Sequence, residues 1–201
     1  MRDTVSLMFI ALRVTLVTLF CTGILYPLGM TGLCGLLFPN KAHGSLITDS
    51  KGRVVGSALI GQRFQSPTYF SPRPSAAGDL GYDAVASSGS NLGPTSKKLR
   101  DRVQQELVRL HKENKDAPGP VPADLITTSA SGLDPHLSPA AALWQVPRVA
   151  QARGISPDRV RAVVLDHIEG RELFLLGEPR VNVLLLNLAL DLQFGRPILG
   201  S

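Results

Sequence analysis

Only two of the 201 residues are cysteines, and both, Cys21 and Cys34, lie inside one apolar run near the start of the chain. Everything after that run is therefore without thiol chemistry and without a disulfide. It must hold together by core packing, which about 160 residues can supply. Aromatic residues make up 5% of the chain, and no block of five or more Lys and Arg occurs, although the formal net charge is +5. Basic charge spread this thinly, with few aromatics, does not make a nucleic-acid surface. There is no Walker A sequence. The nearest text, Gly89-Ser90-Asn91-Leu92-Gly93-Pro94-Thr95-Ser96-Lys97, has its glycines and lysine at the wrong spacing. Pro94 also removes an amide that a phosphate would need. His43, His111, His136 and His167 are scattered, with no H-x-x-x-H pair, which argues against a zinc site. No G-x-S-x-G elbow is present. Ser131, Asp134 and His136 are close in sequence, but their spacing fits a capped turn rather than a triad.

What the chain does have is one long apolar run. Residues 14–38 read VTLVTLFCTGILYPLGMTGLCGLLF, without a charged side chain. A bilayer core about 30 Å thick needs ~20 such residues in a helix. No later run is long enough to span. A cleaved signal peptide would have an apolar core of ~7–15 residues and a small-residue cleavage site. This run is longer, and it passes into Leu36-Leu37-Phe38-Pro39 with no A-x-A pattern after it. The expectation is an uncleaved anchor over residues 1–40, spanning roughly 12–34, followed by one soluble domain over residues 41–201. Arg13 belongs at the edge of the span, where its stem can carry the charge to the headgroups. Pro27 is tolerable in a membrane helix and marks a kink. Arg2 and Arg13 on the short N-terminal flank predict a cytoplasmic N-terminus and an exported domain, because long domains cross largely regardless of charge.

Within the domain, residues 45–47 and 54–60 read as short strands joined by a turn at Asp49-Ser50-Lys51-Gly52. Residues 62–94 are rich in Gly, Pro, Ser and Asn and have little periodicity. The embedded Phe64, Tyr69, Phe70 and Tyr82 argue for an ordered surface loop rather than disorder. Leu99, Val103, Leu107 and Leu110 then fall on one helical face, after a cap at Thr95 or Ser96. Residues 114–122 form a linker with three prolines. Ser138-Pro139 opens the next helix; Pro147 should break or kink it, and Gly154 should end it. Ser156-Pro157 repeats the start signal, with Val160, Val163, Val164 and His167 on one face. The run from Val181 to Leu190 is too short for a second span and reads as a buried helix. The fold class expected is α+β: one N-terminal transmembrane helix, then a soluble domain with short strands, a long ordered loop and several helices. The residues alone lead to a membrane-anchored, non-enzymatic domain.

Seven segments in order carry a resemblance. They are Asn40-x-x-x-Gly44-Ser45-Leu46-Ile47; Gly56-Ser57-x-Leu59-Ile60-Gly61-Gln62-x-Phe64; Tyr69-Phe70-x-x-Arg73-Pro74-Ser75; Ser88-Gly89-Ser90-Asn91-Leu92-Gly93-Pro94; Ser129-x-Ser131-Gly132-Leu133-Asp134-Pro135; Gln145-x-Pro147-Arg148-Val149; and Gly177-Glu178-Pro179-x-Val181-Asn182-x-Leu184-x-x-Asn187. With these the chain resembles the C subunit of the Kdp-type potassium-transporting P-type ATPase, over nearly its whole length. One departure is Asp83 after Tyr82, where the family usually has Asn.

The resemblance implies a single-pass subunit of the cell inner membrane. Its implied partners are a channel-like potassium-binding subunit, a P-type ATPase subunit and a small stabilising peptide. Phosphoryl transfer would belong to the ATPase subunit, so no catalytic residue and no cofactor of its own are expected here. The resemblance also implies a chaperone role that raises the ATPase subunit's affinity for ATP, with Gln145 of the Q-x-P-R-V motif touching nucleotide. That implication conflicts with the exported topology, since an exported domain meets no ATP. On the exported reading, residues 62–94 become the partner interface, with Phe64, Tyr69, Phe70, Arg73, Tyr82 and Asn91 as its candidates. The alternative that stands without the resemblance is a lone anchored extracytoplasmic binding or envelope protein.

Overall fold

The structure, a computed structural model, describes residues 2–49 and 51–197. Ser50 of the first turn lies outside them. The chain divides into two compact units, Met1–Leu46 and Ile47–Ser201.

The first unit is a long helix made of α1 (Arg2–Phe20), a π-helical turn (Cys21–Leu25) and α2 (Tyr26–Leu37). From Thr4 to Leu37 it is long and apolar enough to cross a membrane. Its 34 residues reach about 51 Å, so it extends past both ends of the expected span. At the expected kink site the helix carries the π turn. The Tyr26 amide donates five residues back to the Cys21 carbonyl. Pro27 has no amide to give, and its ring crowds the carbonyl four residues back, so a wider turn just before it absorbs the break. Phe38 ends α2, because the residue before a proline is pushed out of helical conformation. Pro39 then opens the short α3 (Pro39–Ala42).

Next in the chain come β1 (Leu46–Thr48) and β2 (Val54–Ser57), a two-stranded sheet. The Asp49 carboxylate accepts from the Lys51 and Arg53 amides and closes the turn between them. These bonds, with the Arg53 guanidinium, hold that carboxyl down at about 2. The loop over residues 62–94 follows. Then comes α4 (Lys97–Glu113), capped by the Ser96 hydroxyl, which accepts from the Leu99 amide.

A three-stranded antiparallel sheet holds the rest, in the order β3 (His136–Leu137), β5 (Arg180–Asn182), β4 (Ile168–Glu169). Around it pack α5 (Pro139–Arg153), α6 (Pro157–Asp166) and α7 (Val183–Phe194). Ser138 caps α5 through the Ala141 amide, and Gly154 ends it with a φ of 66°.

Two expectations are corrected. Helix α5 does not break at Pro147; it runs on to Arg153. A mid-helix proline costs about 3 kcal/mol, and burial offsets it: Trp144, Gln145, Val146, Arg148, Val149 and Ala150 around it are all buried. The C-terminal helix begins at Val183 rather than Val181, because Val181 and Asn182 belong to β5. The Asn182 side chain then caps α7 by accepting from the Leu185 amide.

Candidate functional site

The long loop poses a problem of backbone accounting. Residues 67–71 lie in no strand, yet part of this stretch is buried, and every buried amide and carbonyl needs a partner. Side chains of α5 and α7 supply them. Asn187 accepts from the Phe70 amide at 2.8 Å and donates to the Phe70 carbonyl at 3.0 Å. Gln145 does the same for Ser71, at 2.8 and 3.0 Å. Arg148 donates to the carbonyls of Pro67 (2.8 Å) and Tyr69 (3.0 Å) and to the Gln145 amide oxygen (2.8 Å). Arg153 donates to the Thr68 carbonyl at 2.7 Å. Four side chains thus serve the segment as a neighbouring strand would.

The electrostatics follow from burial. Arg153 pairs with Asp191 at 2.8 Å, and Asp191 also accepts from the Tyr69 hydroxyl at 2.9 Å. The Arg153 guanidinium lies over the Tyr69 ring, 4.9 Å from its centroid. Burial, and then the bond to Asp191, push the Tyr69 phenol above its ordinary value. The bonds found for Arg148 go to uncharged oxygens, and burial pulls its guanidinium down to about 10.

The outer part of the loop is tied to the turn over residues 129–135. Arg73 donates to the Asp134 carboxylate at 3.2 Å and to the Thr128 carbonyl at 3.3 Å. Ser75 donates to the Gly132 carbonyl at 2.6 Å and accepts from the Tyr82 amide at 2.8 Å. The Tyr82 hydroxyl donates to the Arg73 carbonyl, and burial raises that phenol to about 12. Tyr82 and Asn91 both have positive φ, 61° and 50°. Burial pushes the Asp134 carboxyl up, but bonds from His136 and the charge of Arg73 outweigh it and hold the group below its usual value. The stability from this contact is complete above the unfolded carboxylate's pKa of about 3.9. It is lost as pH falls through the lower folded value. Melting curves of the protein and of Asp134→Asn should therefore differ at pH 6 and converge as pH falls to about 2.

The candidate residues are placed as follows. Phe70 is 0% exposed and belongs to the core. Phe64 and Tyr69 are half-buried and meet with ring centroids 5.8 Å apart. Arg73 and Tyr82 are half-buried inside the loop's own bonding, and Asn91 is exposed. Gln145 is 1% exposed. Its carbonyl oxygen takes two bonds and its amide nitrogen donates to Ser71 and, at 3.4 Å, to Ala141, so its four positions are used. Tyr69, Phe70 and Gln145 are brought together; Tyr82 and Asn91 lie further along the loop. Sequence reasoning missed Asn187, Arg153 and Asp191 as holders of the loop. The signal for Asn187 is an amide in the middle of Leu-Leu-Leu-Asn-Leu-Ala-Leu, where burial demands a partner.

Among the described residues, no three His, Cys, Asp or Glu side chains converge to hold a metal ion. What the arrangement does is fix the backbone of a long loop and present its outer face.

Residues 8–192 match the family described as KdpC, the c chain of a K+-transporting ATPase. The chain belongs to the KdpC family. It is 65% identical over 185 residues to the potassium-transporting ATPase KdpC subunit of Myxococcus xanthus, covering 92% of this chain and 87% of that protein. The KdpC subunit of Rhodopseudomonas palustris BisB18 is 57% identical, over 85% of this chain and 89% of its own length. That of Bradyrhizobium diazoefficiens is 54% identical, over 90% and 94%. The matched span takes in the long apolar helix from residue 8 onward and the whole of the clamped loop with the side chains that hold it.

Proposed function

We propose that this chain is the accessory, non-catalytic C subunit of an ATP-driven potassium uptake complex, and that its clamped loop is an assembly surface. The observation that carries the reading is the side-chain clamp on residues 67–71, which spends four buried polar groups on holding a loop still. A loop fixed at that cost suits a surface that must meet a partner in one shape. The partners are a channel-like potassium-binding subunit, a P-type ATPase subunit that carries out phosphoryl transfer, and a small stabilising peptide. The chain needs no cofactor of its own on this reading. Tyr69, Arg73, Tyr82 and Asn91 serve the surface directly or by shaping it, while Phe70 and Gln145 serve it from beneath. A chaperone effect on ATP affinity would then act through assembly, since nucleotide contact by Gln145 requires giving up bonds to Ser71 or Arg148.

The N-terminus is placed in the cytoplasm and the domain outside, following Arg2 and Arg13 on the N-terminal flank. The test is a single cysteine at the exposed Ser88, in a chain whose Cys21 and Cys34 are replaced. A membrane-impermeant thiol reagent should label it in cells with an opened outer envelope and an intact inner membrane. Labelling seen only in inverted vesicles would put the domain in the cytoplasm and overturn the exported reading. A strain deprived of this chain should also fail to grow on limiting potassium and recover when the chain is restored.

A further inference from the structure

The connection between β4 and β5, residues 170–179, carries four consecutive apolar residues at its middle, and all four are exposed to solvent. Leu173 is 84% exposed, Phe174 97%, Leu175 77% and Leu176 56%. Their backbone is unusual as well. Leu173 and Phe174 have φ values of 51° and 62°, and the Leu175 amide donates to the Glu172 carbonyl across them. A hairpin turn with positive φ at both central residues ordinarily takes Asn-Gly or Asp-Gly, because side chains such as Leu and Phe are strained there. Exposure of a phenyl and three isobutyl groups also opposes solubility. Neither folding nor solubility selects Leu-Phe at this turn, and unfavourable backbone kept with an unfavourable surface marks a contact site.

The turn is preformed. Glu172 and Leu176 exchange two backbone bonds of 2.8 Å, and the Phe174 amide donates to the Arg171 carbonyl. Below it, Arg180 bridges Glu169 and Glu172, each at 3.0 Å, and Arg171 pairs with Glu178 at 2.8 Å. This collar decides what the finger meets. Both of its cations are already paired, and its three carboxylates leave it slightly acidic. An anionic lipid surface is recognised by free Lys and Arg beside the apolar residues, and this collar offers none. A second copy of the chain is also a poor fit. Two such tips bury far less than the roughly 800 Å² per partner of a stable interface. An apolar pocket with a basic rim on another protein fits both the tip and the collar, with the tip as an anchor inside a larger contact.

We propose that the 173–176 finger inserts into an apolar, basic-rimmed pocket on another polypeptide of the potassium-transporting assembly. The proposal rests on the accessory-subunit reading and adds a second contact, separate from the clamped loop.

The test uses the full-length tagged chain expressed with its complex. Leu173→Asn/Phe174→Gly gives the turn its preferred residues and removes the apolar tip. Its melting, followed by the fluorescence of the single tryptophan, Trp144, should be unchanged or raised. The P-type ATPase chain recovered with it should fall at least about tenfold. A photo-crosslinker at position 174 should attach to an identified chain of the complex. Phe174→Gln keeps the backbone and the collar and should reproduce the loss if the double variant melts early. Undiminished recovery with a wild-type control that captures the ATPase chain overturns the finger alone. Crosslinking only to lipid, or only to a second copy, overturns it in favour of that occupant. A wild-type chain that captures no ATPase chain overturns the parent reading with it.

Discussion

Replacing Asn187 by Leu is expected to destabilise the second unit by about 4 kcal/mol, although the two side chains are nearly the same size. Asn187 is buried in α7 and makes both bonds of the Phe70 backbone. Leucine leaves that amide and carbonyl buried without partners, and each orphaned group costs about 1–3 kcal/mol. Phe70 cannot shift to recover water without pulling its ring out of the core. For a domain of this size the loss corresponds to a melting temperature lower by about 8–16 °C. Trp144, buried in α5, reports the transition by its fluorescence. Amide exchange adds a local reading: Phe70 and Ser71 should lose protection first, because their bonds come from side chains rather than from a strand. A melting temperature within a degree or two of wild type would mean that the clamp contributes little.

Gly132→Ala is expected to act on the outer part of the loop with similar force. Gly132 has a φ of 68°, and a Cβ there would lie 2.6 Å from the Ser88 carbonyl oxygen and 2.8 Å from the Ala77 amide. Both are backbone atoms of the loop, so relief requires the loop to move off the 129–135 turn. Overpacking costs about 1–3 kcal/mol, and the left-handed backbone adds about 1–2 for a residue with a side chain. Gly119→Ala supplies the comparison, since Gly119 has a φ of 70° and nothing within 4 Å of its would-be Cβ. The strain is common to both, so the difference between the two variants isolates the contact. Limited proteolysis should cut Gly132→Ala within residues 62–94 much faster than Gly119→Ala or wild type, and recovery of partner chains should fall with it.

The elements set by local chemistry were legible. Ser96, Ser138-Pro139 and Gly154 mark helix ends that the structure reproduces, and the apolar run of residues 14–38 announced the long helix that ends at Leu37. The three-stranded sheet was not legible. Its strands are two or three residues long, too short for a period-two pattern to register. The continuity of α5 through Pro147 was hidden because tertiary burial, which a window of sequence does not contain, outweighs the local penalty. The clamps join residues 74 and 117 positions apart. A polar residue in an apolar run announces that it needs a partner, but not which one. The 173–176 finger was hidden for the opposite reason, because apolar residues at an exposed turn read like core.

The most direct test of the central claim is affinity capture of the tagged full-length chain from membranes of potassium-starved cells, with every co-eluting polypeptide identified by mass. An accessory subunit whose clamped loop is an assembly surface should bring with it a P-type ATPase chain and a potassium-binding, channel-like chain, and Gly132→Ala should lose both. A wild-type chain that elutes alone, or a Gly132→Ala chain that retains both partners at wild-type levels, would contradict it.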